Sequence, residues 1–192
     1  MLPQVISNKR LFYLDNAATT QVAPEVADVV CRCMREDYGN PASAHHVGIS
    51  AEKRVIEAGN RLLSTIGDDH GNLGSLIWTS GGTEGDAMGI LGAGRGNVKA
   101  GKKAVISAIE HSAVRESAEL LREAGFEVVT VPVSEEGVVD PQRFADACEG
   151  AAVAGLMLVN NEIGTVQPVA ETVKAAKANN PRLHFHCDAV QA

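Results

Sequence analysis

The chain has 192 residues, of which 45% are hydrophobic and 21% charged, and its formal net charge is −7. This composition supports a packed core and rules out an intrinsically disordered chain. No lysine/arginine run exceeds two residues, which argues against nucleic acid or an anionic membrane as the main partner.

The opening stretch MLPQVISNKR lacks a basic segment followed by an apolar core, so no signal peptide is expected. No apolar run approaches the ~20 residues needed to span a bilayer. The first helical pattern is APEVADVVCRCMREDY. It has Pro24 near its start and Val26, Val29, Val30 and Cys33 on one side. A second amphipathic helix is read in GISAEKRVIEAGNRLLSTIG, followed by a strand in SLIWTS, from Leu76 to Thr79. Strand KAVISAI then leads into helix SAVRESAELLREAG, which Gly125 should stop. Strand FEVVTVPV precedes helix DPQRFADACEG, with Asp140 as N-cap, Pro141 in the first turn and Gly150 past the end. Strand GLMLVN, helix PVAETVKAAKAN and strand LHFHCD complete the pattern. Such alternation predicts an α/β fold, a mostly parallel sheet with flanking helices and right-handed crossovers.

The four cysteines (Cys31, Cys33, Cys148 and Cys187) form no CxxC pair. Core packing is the plain expectation for them, in a reducing cytosol.

Ligands of parallel sheets sit outside the carboxyl ends of the strands, so the residues after each strand matter most. TSGGTEGD offers Gly81 and Gly82 in a tight turn, the Thr83 hydroxyl and a helix start suited to a phosphate. An ordinary strand–helix turn is the plainer alternative, and neither the Walker nor the GxGxxG spacing is present. AIEHSAVRE puts His111 at a helix entry, where a cap is the plainer alternative. VNNEIGTVQP crowds two asparagines and Glu162 at one strand end, as a ligand site or as a loop bracing itself. HCDAVQ brings Asp188 and Gln191 to the last strand tip. Taken together, a phosphate turn, an imidazole, an amide and a carboxylate at one sheet edge suit a phosphorylated ring with a protonated nitrogen. Pyridoxal 5′-phosphate is such a molecule. A carboxylate beside its pyridine nitrogen favours the charged form, and the protonated ring is an electron sink.

YLDNAATT, YGNPASAHHVG, WTSGGTEGD, IEHSAV, VNNEIGTVQP and HCDAVQ occur in the order seen in cysteine desulfurases. The chain therefore resembles this family of fold-type I pyridoxal phosphate enzymes in the class V aminotransferase group, from about Leu11 onward. The resemblance implies that Gly82 and Thr83 bind the cofactor phosphate, although many relatives carry Ala at Gly82. It implies that His111 stacks on the ring and assists proton transfer, and that Asp188 pairs with the ring nitrogen. Asn161 and Gln191 would bond near the ring oxygen and substrate. Asn16 and Ala17, with Asn161, would lie near the substrate. Asn40 and His45, rather than His46, would lie near the site entrance and dimer interface.

The same resemblance implies removal of sulfur from L-cysteine, giving alanine and an enzyme persulfide for iron–sulfur cluster supply. Related possibilities are a selenocysteine lyase, another class V aminotransferase or a non-catalytic binding module. Residues 1–15 would belong to the small domain and 16–192 to part of an aspartate aminotransferase-like large domain. No lysine stands in the Ser-x-His-Lys context that supplies the Schiff-base lysine, and no cysteine matches the persulfide position. The chain is therefore expected to be the N-terminal half, inactive and poorly stable alone. Its expected partners are a complementary half or a second copy as a homodimer, with a sulfur-acceptor protein, in the cytoplasm. No metal is expected.

Overall fold

The computed structural model describes residues 12–68 and 75–192. These fall into two compact units, Met1–Trp78 and Thr79–Ala192. Among the described residues, no helix is long and apolar enough to cross a membrane.

The first unit holds helices α1 (Pro24–Glu36) and α2 (His46–Thr65). Pro24 opens α1, where its fixed φ suits the first turn and its missing N–H costs nothing. The valines expected on one face of α1 are exposed, as is Cys31. The core-packing expectation thus fails for Cys31 and holds for Cys148, which is fully buried. His45 caps α2, its Nδ1 accepting the Gly48 N–H at 3.3 Å.

The second unit is built on four parallel strands: β1 (Lys103–Ser107), β2 (Glu127–Val131), β3 (Val153–Gly155) and β4 (His184–His186). Their order is β2-β1-β3-β4. The chain runs outward from β1 to β2, then returns past β1 to form β3. The gap between β1 and β3 is therefore the topological switch point, where such sheets bind ligands.

Both faces of the sheet are covered, as parallel sheets require. Val105 points to a core with Phe144, Leu156 and Leu183, beneath α6 (Pro141–Ala147) and α7 (Val169–Asn179). Its neighbours Ala104 and Ile106 point to the opposite core with Ile90, Val114, Leu121 and Phe126. That core lies beneath α5 (Ser112–Glu123) and a continuous helical run from 82 to 96. The run is α-helical at Gly82–Ala87 (α3), π-helical at Met88–Gly92 and α-helical again at Ala93–Gly96 (α4).

The expected helix boundaries follow local chemistry. Asp140 Oδ1 accepts the Arg143 N–H at 2.7 Å and starts α6. Gly125 takes φ +84° and ends α5 in a Schellman motif, with Gly125 N–H on Arg122 O and Phe126 N–H on Leu121 O.

Two strand expectations change. Residues 75–79 enter no ladder among the described residues, so SLIWTS is extended chain and not a strand. An apolar run becomes a strand only where a neighbour accepts its backbone bonds. The strand expected at GLMLVN is centred earlier, at Val153–Gly155. Beyond it Leu156 N–H bonds His186 O and Leu158 N–H bonds Asp188 O, so the two chains stay joined out to the sheet edge.

Candidate active site at the carboxyl edge of the sheet

The loop after β1 carries Glu110 and His111. His111 is the N-cap of α5, with Nδ1 accepting the Ala113 N–H at 3.2 Å. An acceptor at Nδ1 leaves the ring proton on Nε2. The imidazole therefore performs the capping role, and it also lines a cavity of about 250 Å³ between the ends of β1 and β3. Asn160, Asn161 and Arg115 line the same cavity.

The two asparagines divide the alternatives that the sequence left open. Asn160 is buried and braces the loop. Its Oδ1 accepts the Glu162 and Ile163 N–H groups, both at 2.9 Å, and its Nδ2 donates to Ile109 O at 2.9 Å. Asn161 is half-buried on the cavity wall.

Asp188 stands just past β4 and is 8% exposed. Its Oδ1 accepts the Val190 N–H at 3.0 Å, a local turn that fixes the carboxylate at the strand tip. The second oxygen takes no hydrogen bond among the described residues. Val190 in turn lies on the glycine turn: a Cβ built on Gly82 would stand 2.8 Å from Val190 Cγ2. The turn of Gly82 and the carboxylate of Asp188 are thus brought to one place.

The helical run starts at Gly82 with Gly81 as N-cap, and no side chain caps it. Thr83 is exposed in its first turn. Glu84 folds back to accept the Ser80 N–H at 2.6 Å, and this bond holds its carboxyl below the usual range. Gln191, in the turn after Asp188, is half-buried. Asn16 and Ala17 lie in a turn of the other unit, exposed. Asn40 Oδ1 accepts the Ala42 N–H at 2.9 Å, also in that unit.

Glu110 was not singled out by sequence reasoning, although an acid directly after a buried strand is a visible signal. It is 3% exposed. One oxygen accepts the Ser107 hydroxyl and, at 3.0 Å, the Met157 N–H; the other is buried without a partner among the described residues. Burial pushes its carboxyl up to about 7. The Ser107 and Met157 bonds oppose the rise, and the charges of Asp188 and Asp86 add to it. Glu110 therefore links the two groups of site residues. It precedes His111 in the chain, bonds the segment after β3 and feels the charge of Asp188.

Burial works against activation of Cys148 and Cys187 as nucleophiles. Burial pushes Cys148 up to about 12. Cys187 is raised by burial and then by the charges of Glu110 and Asp188. Two lysines of this unit stand at the amino ends of strands. Lys103 opens β1 and donates to Glu149 O, and Lys177 donates to Leu183 O just before β4.

A parallel sheet covered on both faces by helices, with a glycine turn, a histidine, an amide and a carboxylate at its carboxyl edge, defines an α/β domain. The chain belongs to the aminotransferase class-V family, whose model matches residues 12–192. It is 39% identical over 184 residues to the cysteine desulfurase IscS of Dictyoglomus turgidum, covering 95% of this chain and 45% of that protein. It is 36% identical to the cysteine desulfurase IscS of Methanosarcina thermophila, covering 98% and 46%. Among solved structures it is similar to a NifS-like protein, with a TM-score of 0.83 and 34% identity over 93% of this chain and 48% of that one. It is also similar to SspA in complex with cysteine, with a TM-score of 0.78 and 29% identity over 94% and 51%. The chain spans about half the length of the curated relatives it matches.

Proposed function

We propose that this chain supplies the cofactor-gripping part of a cysteine desulfurase, a pyridoxal 5′-phosphate enzyme that takes sulfur from L-cysteine and leaves alanine and a protein persulfide. The supporting observation is the meeting of the Gly82 turn with the Asp188 tip through Val190; His111 and Asn161 line a cavity at the same sheet edge, which Gly82, Thr83 and Asp188 do not line. The residues fit the cofactor chemically. Gly82 and Thr83 offer N–H groups and a hydroxyl to a phosphate at an uncapped helix start. Asp188 offers a second carboxylate oxygen with no hydrogen bond among the described residues, which would hold a proton on the ring nitrogen.

When bound, the pyridoxal group supplies an electron sink. The chain's own residues do the rest. Asp188 would hold the ring-nitrogen proton and Gly82 and Thr83 would anchor the phosphate. His111 would lie against the ring and move a proton through its Nε2. Asn161 and Gln191 would orient ring oxygen and substrate, with Asn16 and Ala17 near the substrate. On this reading the lysine that anchors the cofactor and the thiol that takes the sulfur would come from the part of the relatives that this chain does not match. A homodimer or complementary half, a sulfur-acceptor protein, a role in iron–sulfur cluster supply and a cytoplasmic setting belong to the same reading. So does the division at residue 15 into small-domain and large-domain segments. The free cysteines support the reducing compartment.

The test is reconstitution. Alone with pyridoxal 5′-phosphate, the chain should show no borohydride-fixed attachment of the cofactor to a lysine. Mixed with the lysine- and thiol-bearing half of a relative, it should release alanine and reducible sulfur from L-cysteine. Attachment and sulfur release by the chain alone would overturn the assignment of the lysine and thiol. Selenide or keto-acid products from the mixture would replace the desulfurase with a lyase or aminotransferase.

A further inference from the structure

His186, at the end of β4, places Nε2 at 2.9 Å from Asp86 Oδ1 on α3. The pair is shielded: the Asp86 side chain is 5% exposed and that of His186 is 18% exposed. A carboxylate can only accept, so the imidazole proton sits on Nε2. The remainder of the ring lies against Gly89, where a Cβ would collide with Nδ1. Asp86 and Gly89 are three residues apart and share one helix face. Gly89 also lies in the π-helical segment, a departure from α geometry that is frequent at functional sites.

The location gives the pair its meaning. Asp86 lies one helical turn after Gly82, and His186 lies two residues before Asp188. A shielded imidazole–carboxylate hydrogen bond adds little net stability, since desolvation offsets its attraction, whereas it fixes geometry between two elements. We propose that Asp86 and His186 are positioning residues that hold the turn at 81–83 and the Asp188 carboxylate at one spacing, and so select ligands whose phosphate and ring nitrogen match that spacing. The inference rests on the reading of Asp188 and the glycine turn given above.

Calorimetry with pyridoxine 5′-phosphate and with pyridoxine tests it, because neither probe carries an aldehyde that could react with lysines. The wild-type chain should bind the phosphorylated probe more tightly. Asp86→Ala and His186→Ala should each lower the ratio of the two affinities about tenfold, the scale of one lost hydrogen bond to a charged group. The double variant should fall no further than either single one, because the two residues act as a unit. His186→Gln keeps a donor and should recover most of the ratio, which a merely destabilised fold would not do. Folded variants with the wild-type ratio would overturn the positioning role and leave the site reading standing. A wild-type chain that binds neither probe would overturn the site reading and the inference with it. Where an alanine variant does not fold, the wild-type His186 ring decides. Its Nε2–H resonance should be protected from exchange and should shift when pyridoxine 5′-phosphate binds. A freely exchanging ring would overturn the proposal.

Discussion

Gly82 and Val190 are complementary in shape: a methyl group on residue 82 would come within 2.8 Å of Val190 Cγ2. Val190 is 66% exposed and β-branched, so it can yield only by moving its backbone turn or taking a poorer rotamer. That turn also carries the N–H that holds Asp188. Gly82→Ala should therefore cost about 1 kcal/mol or less in stability. It should nevertheless lower affinity for pyridoxine 5′-phosphate, by displacing the Asp188 turn. Adding Val190→Ala should restore the affinity. Calorimetry on the two single variants and the double variant checks this, and simple additivity would show that the two positions are not coupled.

Glu110 gives stability a pH dependence of defined sign. Its carboxyl is raised from the ordinary 4.5 to about 7 in the fold, so between those values the folded state binds the extra proton. Stability from this group is then fully present below about 4.5 and falls as pH rises through about 7. The loss is on the order of 3 kcal/mol. Glu110→Gln should remove this slope, leaving the variant relatively more stable on the alkaline side. Urea unfolding across the pH range measures it, and parallel curves for the two proteins would contradict the assignment.

The two asparagines should behave differently although they are neighbours. Asn160→Ala strands two loop N–H groups and the Ile109 carbonyl, and should cost about 2–3 kcal/mol. Asn161→Ala should change stability by no more than about 0.5 kcal/mol while weakening binding of pyridoxine 5′-phosphate. Unfolding curves and calorimetry separate the two effects.

Legibility in the sequence followed the range of the interactions. Asp140, Pro141 and Gly125 act within a few residues of themselves, so their roles could be read directly. The edge placement of His111, Asn161 and Asp188 followed from strand–helix alternation, since parallel strands present their carboxyl ends together. SLIWTS has the apolar run of a strand, but such a run forms a ladder only beside a pairing neighbour, and it has none among the described residues. Asp86 and His186 were unreadable because they are a hundred residues apart in the chain. Glu110 was passed over for the adjacent histidine although its place after a buried strand was visible; its burial depends on the Met157 segment after β3, 47 residues on. The double role of His111, cap and cavity wall, needed the backbone geometry of α5.

The decisive measurement is the nitrogen resonance of pyridoxine 5′-phosphate labelled with ¹⁵N in the ring and bound to this chain, recorded at a pH where the free ring is deprotonated. With Asp188 at the nitrogen, the bound probe should show a pyridinium signal in the wild type and a neutral pyridine signal in Asp188→Asn. A neutral ring in the wild type, or a signal indifferent to the substitution, would contradict the placement of the carboxylate against the ring nitrogen.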